Sequence, residues 1–257
     1  MYKTVGRESY RDRAFVVRTY DFGEADRVVV LLTRSHGLVR SVAKGVRKSK
    51  SRFGSRIQPF VDVDIQLYPG RNLDTITQAD TVGYYGTGII DDYDRYTAAC
   101  AILETAERLS YADADTDSFL FDEIAHAFRR LPVTAHPTLV VDAFIVRATA
   151  HAGWGLSLFN CANCGRPGPH HAFHSQIGGA ACVHCRPPGS FDVEEETLHL
   201  LWLLAQNDTP QVRDRAEAQA EAQASKTTVH QAHRLATHHL QWHMESALKT
   251  LRIMEQA

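Results

Sequence analysis

Four cysteines fall in two pairs, Cys161-Ala162-Asn163-Cys164 and Cys182-Val183-His184-Cys185, separated by seventeen residues. A CxxC pair folds into a tight knuckle that turns two thiolates to one side, and two knuckles together supply the four ligands of a tetrahedral structural zinc site. Gly165 follows the first pair and can take the backbone angles such a turn needs. One structural zinc on Cys161, Cys164, Cys182 and Cys185 is therefore expected. A pair of disulfides is the alternative, and it is disfavoured because Met1-Tyr2-Lys3-Thr4 opens no apolar signal segment. Four thiolates close the coordination shell, leaving no position for water or substrate, so chemistry at the metal is not expected. His170, His171, His174 and His184 are close in sequence and, with the shell already complete, read as surface residues. Cys100 stands alone on an apolar helical face and reads as a small buried hydrophobe.

A second group of residues has a different chemistry. Residues 27–61 contain Arg27, Arg34, Arg40, Lys44, Arg47, Lys48, Lys50, Arg52 and Arg56 and not one Asp or Glu. Over residues 1–61 there are 14 Lys and Arg against 5 Asp and Glu, a balance of +9, which leaves −11 for the rest of a chain whose net charge is −2. Such separation points to a polyanionic partner for the basic part. Between Lys44 and Arg56 the sequence KGVRKSKSRFGSR combines Gly and Ser, which permit close backbone approach, with cations for phosphates. Phe53 could stack on a base, but it reads better as the anchor of this loop. The nucleic-acid contacts are expected from Arg40, Lys44, Arg47, Lys48, Lys50, Arg52 and Arg56, while Arg27 and Arg34 lie on strands and read as structural.

No enzyme signature competes with this reading. There is no P-loop, GxGxxG, GxSxG or HExxH. His243-Met244-Glu245 supplies an HxE, but it follows the cysteine pairs and neither pair is preceded by Pro, so the order is wrong for a zinc deaminase. A non-catalytic protein is expected. Its rivals are a protein adaptor, whose basic loop is only solvated surface, and an RNA binder using the same fold.

The elements that must position these groups follow from periodicity. Strands are expected at 14–20, 27–33, 39–44, 60–68 and 73–82, where Val, Ile, Thr and aromatics cluster between turn residues. Val61, Val63, Ile65 and Leu67 alternate with Asp62, Asp64 and Gln66, the period of a strand with one buried face. Ser35-His36-Gly37 and Pro69-Gly70-Arg71-Asn72 read as tight links. Five strands with a long connection after the third fit a small closed barrel such as the OB-fold, with an open sheet as the alternative. After Gly88 helical spacing takes over, with helices expected at 96–110, 117–131, 137–151, 194–206 and 227–254. Residues 211–224 have good helix formers and almost no apolar face, and read as an exposed helix or a mobile connector. The expected organisation is an α+β multidomain chain: a five-stranded OB-fold nucleic-acid-binding domain at 1–83, then an all-helical domain at 84–257 with a zinc-binding insertion at about 159–190. The longest aliphatic run, Val28 to Leu32, is too short to span a bilayer, so no membrane partner is expected.

Several of these segments together resemble the bacterial DNA repair and recombination mediator family RecO. The resemblance is carried by Gly23-Glu24-Ala25-Asp26-Arg27, His36-Gly37-Leu38-Val39-Arg40, Val42-Ala43-Lys44-Gly45-Val46-Arg47-Lys48 and Ser51-Arg52-Phe53-Gly54. It continues in Gln58-Pro59-Phe60, Gly70-Arg71-Asn72-Leu73, Leu103-Glu104-Thr105 and Leu248-Lys249-Thr250-Leu251. It spans nearly the whole chain, is most specific over 13–83, and leaves 211–224 as an addition. It implies an N-terminal OB domain, a C-terminal helical domain, and a zinc module where the four cysteines are kept. It further implies binding of single- and double-stranded DNA, annealing of complementary strands, and work with RecR to help RecA replace single-strand-binding protein. The acidic tail of that protein would be received by the helical domain. The implied location is cytoplasmic and nucleoid-associated, and the family has no catalytic residues to transfer.

Overall fold

The computed structural model describes residues 8–48, 51, 53–112 and 117–254. The aliphatic alternation of the first eighty or so residues becomes β1 (Tyr10–Phe22), β2 (Asp26–Thr33), β3 (Leu38–Ala43), β4 (Val61–Tyr68) and β5 (Asp74–Tyr84). These close into a barrel in the order β1-β2-β3-β5-β4, with β1 also pairing β4, and β3 runs parallel to β5 at Ser41–Asp74 and Val42–Thr75. This is the order and closure of an OB-fold, and it excludes the open sheet. Val61, Val63, Ile65 and Leu67 are at most 2% exposed and join Val29, Leu31 and Ile76 in the barrel interior. At 13 residues, β1 is longer than expected, because a register shift between Val16 and Arg18 bends it enough to serve two neighbours.

Two outward-facing features complete this part of the chain. Asp62 points away from the barrel interior, yet it is only 1% exposed, and the Arg13 guanidinium donates to its two oxygens through Nε and Nη2. Phe15, on the same outer face, packs on Phe121 and Phe128 of α2 (Phe119–Arg130) with ring centroids 4.8 and 5.7 Å apart. The compact unit that holds the barrel accordingly comprises Met1–Asp92 and Ala106–Pro132. Turn chemistry is as expected at Ser35-His36-Gly37, where Asp12 accepts bonds from the Ser35 N–H at 2.9 Å and from His36 Nδ1 at 2.7 Å.

The second unit comprises Tyr93–Thr105 and Val133–Ala257, and α1 (Tyr93–Ala112) contributes residues to both units. Its helices are α3 (Pro137–His151), α4 (Glu195–Ala205), α5 (Pro210–Gln223), α6 (Lys226–Met244) and α7 (Lys249–Met254). α3 packs on α4 and α6, and Leu139, Phe144, Leu201, Leu204, Leu235 and Leu240 are all buried. Pro137 opens α3 in its first turn, where the missing N–H has no intrahelical role. No described helix is long and apolar enough to cross a membrane.

Two helical expectations are narrowed or corrected. Of the two alternatives for 211–224, the exposed helix holds and the mobile connector does not: most residues of α5 are exposed, but it packs on α4 and buries Ala216, Glu217 and Ala220. Small side chains let it approach closely, and Glu217 enters the interior because Arg147 of α3, itself 3% exposed, meets it at 2.7 Å. The single helix expected at 227–254 breaks at Glu245, whose φ is +50°. Beyond the break, the Glu104 carboxylate of α1 accepts bonds from the backbone N–H of Lys249 at 3.1 Å and Thr250 at 2.9 Å, capping α7, while Leu248 and Leu251 are fully buried.

Candidate nucleic-acid interface and metal centre

Three short strands, β6 (Ala172–His174), β7 (Gly179–Ala180) and β8 (Phe191–Asp192), form a small sheet between the two cysteine knuckles and α4. The knuckles are made by backbone bonds. Gly165, at φ +72°, donates to the Cys161 carbonyl at 2.8 Å, and the N–H groups of Cys185 and Arg186 both donate to the Cys182 carbonyl at 3.0 Å. Ala162 N–H donates to Ala180 O at 2.8 Å, which ties the first knuckle to the sheet.

The four sulfurs of Cys161, Cys164, Cys182 and Cys185 lie within 4.8 Å of one another. Cys164 and Cys182 Sγ are 3.9 Å apart, far beyond a disulfide bond, and all four thiols are free. A tetrahedron of thiolates about 2.3 Å from a central ion has edges of about 3.8 Å. The donor set therefore fits a structural metal ion. Burial works against the thiolate of Cys161, but the backbone N–H groups of Cys182, Cys164 and Asn163 outweigh it and bring the thiol down to about 6. Cys182 is lowered in the same way, by the N–H groups of His184 and Cys185 acting against burial. At Cys185 the Asn163 side chain favours the thiolate, but the Cys164 and Cys182 thiols outweigh it and push the group up to about 11, so the backbone favours anionic sulfur at the first cysteine of each knuckle. His171 and His184 are exposed as expected, whereas His170 is buried, its Nε2 2.9 Å from the Arg166 carbonyl. Cys100 is half-buried, with its thiol raised by burial.

On the barrel, Arg40 lies on the exposed face of β3, and Lys44, Arg47 and Lys48 follow on the loop that leaves it. Gly45, at φ +67°, donates its N–H to Asp26 Oδ1 at 2.7 Å, and Arg47 N–H donates to Ala25 O at 3.0 Å. The start of the loop is therefore pinned to the β1–β2 turn. Its far part is pinned from inside: Phe53 and Ile57 are 2% and 1% exposed and belong to the barrel core, so Phe53 is the anchor and its ring is unavailable to a base. Lys50 and Arg52 lie outside the described residues. Arg47 approaches Asp21 at 3.4 Å, and Arg56 donates to the Ala79 carbonyl at 3.3 Å. Arg40, Lys44 and Lys48 have no ion pair among the described residues. Arg27 pairs with Asp21 at 3.0 Å and Arg34 with Asp122 at 3.6 Å.

Two features of this end of the barrel were not read from the sequence. Asp26 holds the loop, a role that no motif predicts. Tyr20 and Phe22 end β1 with 41% and 52% of their surface exposed, and the register Phe22–Asp26 and Arg27–Ala43 places them at the end of the barrel from which the loop departs. Large exposed aromatics at a strand end beside a basic stretch were the available signal. A family model described as Recombination protein O N terminal matches residues 8–85, and one described as Recombination protein O C terminal matches residues 90–252.

Proposed function

The chain belongs to the Recombination protein O family, whose role is in DNA repair and recombination, and from that premise we propose a non-catalytic mediator that binds single- and double-stranded DNA and anneals complementary strands. With RecR it would help load RecA onto DNA coated by single-strand-binding protein, whose acidic tail the helical part would receive. The DNA-binding domain is assigned to the segment 1–83 and the helical domain to 84–257, of which α2 packs in one compact unit with the barrel, and the site of action is the cytoplasmic nucleoid. The contacts are Arg40, Lys44, Arg47, Lys48, Lys50, Arg52 and Arg56. Tyr20 and Phe22 offer ring faces to bases.

The observation that carries this reading is the set of exposed cations without ion pairs among the described residues, Arg40 on β3 and Lys44 and Lys48 on the loop that follows it, whose two ends are fixed. Folding gains nothing from leaving such charges unpaired, whereas a polyanion releases counterions when it meets them. Two strands repel each other. A protein that neutralises phosphates on both lowers that barrier without breaking a covalent bond, so no nucleophile or open metal position is required. The metal is proposed to be one structural zinc on Cys161, Cys164, Cys182 and Cys185. When bound it neutralises the thiolates and holds the two knuckles together, stabilising a module with little apolar core of its own.

The test is single-strand binding across a salt series. With about five phosphates neutralised, log affinity should fall against log salt with a slope of about −3.5. Replacing Arg47, Lys48, Lys50 and Arg52 by Ala should shrink the slope by roughly 0.7 for each phosphate left without its cation and slow annealing, with the melting temperature unchanged. An unaltered slope in that variant would sink the assignment.

A further inference from the structure

α6 contains no Asp or Glu; from Lys226 to Met244 it reads KTTVHQAHRLATHHLQWHM. Steps of four residues bring Lys226, His230, Arg234, His238 and Trp242 into one gently winding stripe, and all five are exposed. Each step rises about 6 Å along the axis, comparable to the step between successive phosphates of an extended strand. A solvated helix face usually mixes both signs of charge, with acids and bases pairing at this spacing. Here Lys226, His230, Arg234 and His238 have no ion pair among the described residues. Two carboxylates of the same unit are already engaged: Asp142 is fully buried with His233 Nδ1 2.6 Å away, and Asp192 pairs with Arg186 at 2.7 Å.

Aromatic rings are interleaved with the cations. The Arg234 guanidinium lies over the ring of Phe191 in β8 at 5.0 Å. His238 meets the same ring edge-on at 4.8 Å, and on its other side lies 6.4 Å from Trp242 with the rings within 25° of parallel. Beside this stripe is a cavity of about 690 Å³ whose described lining includes Lys226, His230, Arg234 and Phe191 and no Asp or Glu.

We propose that α6 is a second single-strand nucleic-acid site, in which Lys226 and Arg234, with His230 between them, follow the phosphates while Phe191 and Trp242 offer ring faces to bases. His238, its Nδ1 2.7 Å from the Ser175 hydroxyl, serves as the ring between Phe191 and Trp242 and not as a charge. Cations supply sequence-independent attraction and aromatic faces supply stacking, the two components of single-strand grooves. An acidic peptide would satisfy the charges but leave without a purpose the alternation of rings and cations over about 24 Å of helix. Binding at α6 is independent of the barrel loop. Only its consequence for annealing, one strand on each site of a single chain, rests on the function proposed above.

The experiment uses the full chain with the triple variant Lys226→Ala, His230→Ala and Arg234→Ala and a labelled oligo-dT. Low-salt affinity is expected to fall about tenfold, and the salt slope to shrink by about 1.4 for the two permanent charges. A second readout needs no variant: bromouracil-containing oligonucleotide should photo-crosslink in the wild-type protein to Phe191 or Trp242. The barrel-loop variant is run in parallel; it should keep these α6 adducts, so failure of the barrel reading and failure of this one are told apart. Unchanged affinity and slope in the triple variant, adducts confined to the barrel, or a polyglutamate peptide that binds through these residues while oligo-dT does not, would each overturn the proposal.

Discussion

The cysteine module and the basic loop of the barrel are both short segments with little apolar core of their own, and they are held in opposite ways. In the module, the backbone N–H groups are aimed at sulfur and the four Sγ atoms converge within 4.8 Å, so the reactive groups are themselves the centre of the local structure. In the loop, the anchors sit at the ends, at Gly45 with Asp26 and at Phe53 with Ile57, and the described cations between them, Arg47 and Lys48, are exposed. A group whose task is internal satisfies its neighbours, and one whose task is external leaves its charge to a partner. The two regions should therefore respond differently to mutation, the first through stability and the second through binding.

The sharpest contrast comes from Cys161→Ser together with Cys182→Ser. The double variant should lose its bound metal and unfold the module, a cost of several kcal/mol, while the barrel keeps its oligonucleotide affinity; metal analysis with thermal melting and binding checks both halves. Phe53→Ala comes next. It empties a fully enclosed site and should destabilise the barrel by about 3–5 kcal/mol in denaturant melts. Phe22→Ala has the smallest effect and the opposite character. It should leave the melting temperature in place and weaken single-strand binding by about 1–3 kcal/mol through the loss of stacking. If Phe22→Ala alters stability and not binding, the division between internal anchor and external platform fails at that end of the barrel.

How much of this was legible in the sequence depends on where each residue's partner sits. The alternation in β4 and the CxxC pairs were readable because strand period and knuckle spacing are local, whereas five strands and one long connection fitted a closed barrel without excluding an open sheet. The packed face of α5 went unread because it is built from Ala216, Ala220 and Glu217, and hydrophobicity alone does not reveal that Arg147, seventy residues earlier, neutralises that glutamate. The break at Glu245 was invisible for a similar reason, since the carboxylate that caps the following helix lies in α1. The loop cations were legible as a charge run, but not which would be braced: Arg47 has Asp21, and Lys44 and Lys48 have nothing comparable among the described residues. The α6 stripe was present in the letters from the start, as Lys, His, Arg, His and Trp four residues apart. It was overlooked because a chain with a net negative remainder does not advertise a cationic face.

The cap that Glu104 places on α7 bears on how the chain matures during synthesis. The carboxylate and the two amides it receives are separated by 145 and 146 residues, so for most of translation α1 carries an acceptor whose donors do not yet exist. The barrel strands find one another over much shorter spans and can fold while the rest is still being made. The unit that holds α7 can close only after residue 250 has left the ribosome. Chains released before that point would carry a finished barrel and an incomplete second unit, with the partners of Leu248 and Leu251 uncovered for proteases to find.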